Sequence, residues 1–154
     1  MPPFLFRRNK MTLQEFKSRI RSLGFEEDST INEPDYKNII IDSLNRALQY
    51  IYDSTVKLMI PYYQRELGET PARPLKVTID TPDDYEIDLP EDLIELLPLL
   101  AAYHIWLDDD LTKATMYYNN FVQKRDDIIM ANNSTAKATI MPTIDGKKYF
   151  GIGW

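Results

Sequence analysis

Apolar residues recur along this chain mostly with a helical period. Thr12 and Glu15 form a T-x-x-E capping pattern, and Leu13, Phe16, Ile20 and Leu23 follow at helical spacing. Gly24 sits where such a helix stops, and Lys17, Arg19 and Arg21 occupy its polar face. After the polar connection GFEEDSTINEPD, Pro34 suits the first turn of a second helix. Tyr36, Ile40, Leu44, Ala47, Leu48 and Ile51 trace its apolar stripe, which is expected to run to about Met59, ahead of Pro61. The stretch PYYQRELGETPARP reads as a loop.

The period then changes to two. In LKVTID-TPDD-YEIDL, Leu75, Val77 and Ile79 alternate with polar residues, and so do Tyr85, Ile87 and Leu89. With turn chemistry in TPDD, this predicts a β-hairpin over 75–89 with one apolar face. A lone hairpin is marginal, so it must pack on helices or pair with a neighbouring subunit.

Pro90, Glu91 and Asp92 suit a helix start, and LIELLPLLAAYHIWL is apolar on nearly every side, as a buried central element is. Pro98 predicts a short turn to Leu97 and a restart. Asp108, Asp109 and Asp110 end the run. A last helix carries Ala114, Tyr117, Tyr118, Phe121, Val122, Arg125, Ile128 and Ile129 on one stripe. From Asn132 onward the helical period is gone. The expected architecture is mostly α: a small bundle of about four helices with one β-hairpin, forming a domain over 12–131, after an N-terminal extension (1–11) and before an extended C-terminal arm (132–154).

At 154 residues the chain suits one domain with a real core. A net charge of −6 argues against general nucleic-acid adhesion, which wants a basic face. The absence of cysteine removes disulfides, thiolate metal sites and cysteine nucleophiles. The start MPPFLFRRNK has its apolar residues before its basic ones and no long apolar core, unlike a secretory signal or a membrane span, so a cytoplasmic protein is expected.

Candidate chemistry is sparse. His104 lies inside AAYHIWL without an orienting partner motif, and a histidine there is more often a satisfied core or interface residue than a catalyst. No Lys or Arg interrupts the acidic residues between Lys76 and Lys113, but their spacing does not match a calcium loop; no metal or cofactor is expected. Solvated surface charge and helix caps account for them, and an electronegative face is the functional alternative. No phosphate-cradling loop, nucleophile elbow or zinc signature occurs, so an enzyme is not expected. Basic residues (Arg7, Arg8, Lys10, Lys17, Arg19, Arg21) gather at the N-terminal end, and such separation suits contacts between the basic edge of one copy and the acidic edge of the next. At the other end, DGKKYFGIGW places Tyr149, Phe150, Ile152 and Trp154 around two glycines. Such a segment needs cover, from its own core or from another molecule.

The order of elements, carried by DSLNRALQYIYD and by IDLPEDLIELLPLLAAYHIWLDDDLTKATMYYNNFVQKRDDI, resembles tailed-phage head–tail adaptor proteins, also called head completion or connector proteins. The shared pattern is a leucine–proline step out of a strand, an apolar helix ending in a short acidic turn, and a final helix dense in Ala and Tyr. It spans about Asp42 to Ile128. The resemblance implies a ring beneath the portal protein, commonly twelvefold, that touches its own neighbouring copies, extends the DNA channel and presents a surface to the next neck, stopper or tail protein. It implies a virion location at the neck after assembly in the host cytoplasm, with DNA passing through without sequence-specific binding and no membrane contact. On that reading Tyr149, Phe150, Ile152 and Trp154 anchor the arm to a partner. Asp83, Asp84, Asp108, Asp109 and Asp110 face the channel as a repelling wall. The alternatives are a small terminase-like DNA-packaging subunit, and a regulatory helical domain with an aromatic docking tail.

Overall fold

The computed structural model describes residues 10–23 and 34–140. They are mostly helical. Helix α1 (Leu13–Ser22) carries the expected capping box: the Glu15 backbone N–H donates to Thr12 Oγ1 at 3.2 Å, and the Thr12 N–H donates to Glu15 Oε1 at 2.9 Å. Leu13, Phe16 and Ile20 are buried.

The second helix does not stop before Pro61. Helix α2 (Pro34–Ile51) passes through a wide π-type stretch (Tyr52–Val56) into α3 (Lys57–Leu67), with Pro61 inside. The buried positions explain the wide turn. They fall at Ile51, Thr55, Met59 and Tyr63, in successive steps of four. In a regular α-helix each such step drifts by about 40°, and one extra residue in a turn brings the stripe back onto the core. Pro61 and Lys57, whose carbonyl a non-proline residue at 61 would meet, are both exposed, so water can serve the freed oxygen. The rod ends at Gly68, which adopts φ +67° and donates its N–H to the Gln64 carbonyl, as a left-handed C-terminal cap requires.

The hairpin over 75–89 does not form: among the described residues there is no strand, only an antiparallel bridge between Thr12 and Glu86. The backbone groups that would have closed a hairpin go elsewhere. The Val77 N–H donates to Asn45 Oδ1 and its carbonyl accepts from Asn45 Nδ2, both at 2.8 Å. On the other side, Leu13 N–H donates to Tyr85 O (2.9 Å), Gln14 N–H to Asp83 O (3.0 Å) and Ile87 N–H to Met11 O (2.8 Å). Two consecutive turns, closed by Thr81 N–H to Thr78 O and Tyr85 N–H to Pro82 O, separate the two halves. The apolar alternation places Val77, Ile87 and Leu89 in the core but leaves Leu75 72% exposed.

Turns over 91–95 lead into α4 (Leu96–Trp106). The expected short turn and restart are present, with the restart at Leu96, which puts Pro98 within the first turn of α4, where a missing N–H costs nothing. Helix α4 is central and packs against α1, α2 and α5. Helix α5 (Leu111–Ile140) starts at Asp110, whose carboxylate accepts the Lys113 N–H at 3.1 Å. It continues past Asn132, so residues 132–140 of the expected extended arm are helical. The Tyr117 hydroxyl donates to the Leu23 carbonyl and so ties α5 to the end of α1. The core is one cluster that joins Phe16 and Ile20 to Leu44, Leu48, Leu97, Leu100 and Phe121.

Candidate functional site

The arm residues Tyr149, Phe150, Ile152 and Trp154 lie outside the described residues. The acidic candidates are described, and they do not form one site. Asp83 lies beside α1 and forms an ion pair with Lys17 at 2.9 Å. Asp84 is exposed next to it. Asp108, Asp109 and Asp110 are exposed on the turn between α4 and α5, and Asp110 is occupied as the α5 cap. No hydrogen bond or ion pair joins the two groups, and among the described residues no group of three metal-ligating side chains could hold an ion.

The basic edge of α1 is engaged within the chain. Arg19 meets Glu95 through two contacts, at 2.5 and 3.5 Å, and that hydrogen bond is the main cause of its raised pKa. Together with Lys17–Asp83, this closes inside one subunit two of the basic–acidic contacts that the sequence offers to neighbouring copies. Both pairs are largely solvent-exposed, so they orient more than they stabilise.

A concavity lies at this edge. A cleft of about 720 Å³ opens between α1, the end of α3, the 91–95 turns and Asn132 of α5. Among the described residues, four carboxylates (Glu15, Glu91, Asp92, Glu95) and two cations (Lys10, Arg19) line it. Its apolar floor is Met11, Tyr62, Leu67 and Ile94. One wall is held by Asp92, which accepts from the Tyr63 hydroxyl at 2.8 Å and from Asn132 Nδ2 at 3.0 Å. Burial, with the nearby Asp92 charge, pushes the Tyr63 phenol upward, so it remains a donor. Nothing in the sequence marks this cleft, because its described residues come from four separate stretches.

A second missed feature is an aromatic band across α2, α4 and α5. Tyr50 and Tyr118 share a hydroxyl hydrogen bond of 3.1 Å, the Tyr103 and Tyr118 rings lie 5.0 Å apart, and the Arg125 guanidinium sits 5.6 Å from the Phe121 ring. His104 adjoins it, 4.9 Å from the Tyr103 ring. Neither nitrogen of His104 has a hydrogen-bond partner among the described residues, unlike the satisfied histidine that the sequence suggests. Burial lowers its pKa, the Arg46 charge adds to this, and Asp42 opposes it. The imidazole is therefore held neutral.

Among the described residues no helix is long and apolar enough to cross a membrane. No family model, no curated protein and no solved structure matches this chain.

Proposed function

We propose that the chain is a structural virion protein, a ring subunit of the head–tail neck of a tailed phage. The observation that carries this reading is the succession from the long α2–α3 rod through the apolar α4 and its exposed Asp108–Asp110 turn to the aromatic α5. That is the order in which the sequence resembles the adaptor proteins, apart from the hairpin expected between the rod and α4, which does not form. The role is architectural and not catalytic. Copies arranged in a ring, twelvefold where they follow the portal protein, extend the DNA channel and hand it to the next neck, stopper or tail protein. The aromatic residues Tyr149, Phe150, Ile152 and Trp154 suit anchoring to a partner, because such side chains gain much on burial and lose little rotamer freedom. Exposed carboxylates at Asp84, Asp108 and Asp109 suit a surface past which DNA slides, since DNA binding by counterion release requires cations. The terminase-like alternative is less favoured, because Lys17 and Arg19 already face carboxylates of their own chain.

Gold-labelled antibody against the chain, applied to intact particles and read by electron microscopy, tests the proposal. Label confined to the single neck vertex is the expected result. Unlabelled particles would refute it and favour a packaging or regulatory role.

A further inference from the structure

We infer that His104 is the trigger of an acid-sensitive latch, by which the last turn of α4 (103–106) unwinds from α2 while the rest of the fold stays closed. The inference goes beyond the neck role and does not depend on it.

Both ring nitrogens of His104 are buried, and neither has a hydrogen-bond partner among the described residues. The neutral imidazole already leaves one donor and one acceptor unanswered. A second proton would add a buried charge and a second N–H without an acceptor. The charged groups that act on the ring are Arg46 and Asp42 of α2. Asp42 is the carboxylate that could answer the new N–H, but Arg46 holds it at 2.9 Å, and the guanidinium itself repels an imidazolium. On its own helix the Tyr103 ring lies 4.9 Å away. From α5, the Tyr118 ring lies 5.0 Å from Tyr103 and Lys113 lies 4.1 Å over the Trp106 ring, and neither supplies a carboxylate. The charged contact from α1 is made at the opposite end of α4, where Arg19 holds Glu95.

Burial along α4 sets where that charge is relieved. Residues 96–102 are buried apart from Leu99, 103–106 are half-buried, and 107–110 are exposed. Opening at the exposed end breaks fewer apolar contacts than opening earlier in the helix, so local separation precedes global unfolding. In the closed form, burial and then the Arg46 charge hold the proton off His104 against the pull of Asp42, and an open turn returns the imidazole to its ordinary value of 6.5. Closure is therefore complete above that value. It weakens as pH falls below it, by up to about tenfold per pH unit, until the closed form itself takes up the proton. His104 is the chain's one histidine, so the only side chain whose ordinary pKa lies between about pH 5 and 8 stands at this joint. Opening also draws Tyr103 away from Tyr118 and uncovers part of the aromatic band.

Hydrogen exchange of the full chain at pH 7.5 and 5.5, corrected for the chemical exchange rate, tests the latch. The open fraction at amides 104–109 is expected to rise at least about threefold at the lower pH. It should be insensitive to low urea, as a local opening that exposes little surface is. Amides 16–20 in the buried part of α1 should stay more protected and should respond to urea. His104→Gln cannot take up the proton and should abolish the rise at 104–109. Where that variant fails to fold, NMR of the unaltered chain decides: the ring signals of its one histidine should titrate with a midpoint below 6.5, and amides 104–109 should shift with the same midpoint. An open fraction indifferent to pH, a rise shared equally by amides 16–20, or a rise that survives His104→Gln would overturn the inference. So would a ring midpoint at or above 6.5, or one that the amides do not follow.

Discussion

Asn45 replaces a missing strand partner, and removing its amide should release the segment that the sequence reads as the first strand of a hairpin. Both backbone groups of Val77 are bonded to this one side chain at 2.8 Å, and Val77 is 2% exposed. The adjacent turns of α2 extend the clamp: Gln49 donates to Pro74 O at 3.3 Å, and Arg73 reaches Gln49 Oε1 at 2.5 Å and Asp53 Oδ1 at 2.7 Å. Positions 45, 49 and 53 form a polar stripe beside the buried one. A net hydrogen bond contributes about 1 kcal/mol, so Asn45→Ala should cost about 2 kcal/mol, and somewhat more because Val77 keeps its buried polar groups. In a chain of this size that lowers Tm by about 4–8 °C. Asn45→Asp retains the acceptor but sets a carboxylate oxygen against the Val77 carbonyl, so it should lose at least as much as Ala at neutral pH. The assay is urea and thermal unfolding followed by far-UV circular dichroism, with hydrogen exchange at the Val77 amide as the local readout. An Asn45→Ala chain within about 0.5 kcal/mol of the parent, with Val77 exchange unchanged, would refute the idea that this side chain substitutes for a strand.

Four further outcomes follow from other contacts. Tyr63→Phe removes the hydroxyl that Asp92 accepts and should cost about 1 kcal/mol in urea unfolding, while the hydrated Asp92 keeps its Asn132 bond. Gly68→Ala should destabilise by about 1 kcal/mol through φ alone, because a Cβ there meets nothing within 4 Å, and Gly68→Asn should lose less; equal losses would contradict this. His104 has a lowered folded pKa, so the unfolded chain binds its proton first, and its contribution to stability is full above its ordinary value of 6.5 and declines as pH falls below it. Replacing His104 with Leu should therefore flatten the stability–pH curve on the acid side, a difference read by unfolding both chains from pH 7.5 to 5.5. Asp110→Ala should cost about 1 kcal/mol as a lost cap, whereas Asp108→Asn with Asp109→Asn should leave Tm unchanged, so a neck-assembly or DNA-retention defect in the double variant alone would belong to function.

Much of the fold was legible because helices are local. The α1 cap, the α2 stripe, the all-round apolarity of α4 and the stripe of α5 are each written within a few turns of sequence. Two of the readings that failed have different causes. Alternation at 75–89 is a sound strand signal, but a strand also needs an edge, and Asn45 and the stretch 11–14 took the available groups. Pro61 was read as a stop, yet it lies on a solvent face downstream of a wide turn, whereas the restart expected at Pro98 occurs two residues earlier, at Leu96. The cleft was beyond sequence reasoning altogether, since no single stretch contributes more than a few of its residues.

The distribution of charge bears on how copies could meet. In the sequence, a basic N-terminal end and a long acidic middle suggest edges that attract between subunits. In the fold, Lys17 and Arg19 lie against Asp83 and Glu95 of their own chain, so two of the opposite-charge contacts are already made within it. Asp84, Asp108 and Asp109 are then left exposed without an ion pair among the described residues. If copies associate as proposed, with these carboxylates at their boundary, like charges there would repel and association would rest on apolar and aromatic surface, of which Tyr50, Leu58, Leu75 and Leu111 are exposed. A ring built in this way would be insensitive to salt in its assembly, while its acidic turns repelled DNA more strongly as salt fell. Under the proposed neck role, these different salt responses would separate the joint between copies from the surface over which the nucleic acid passes.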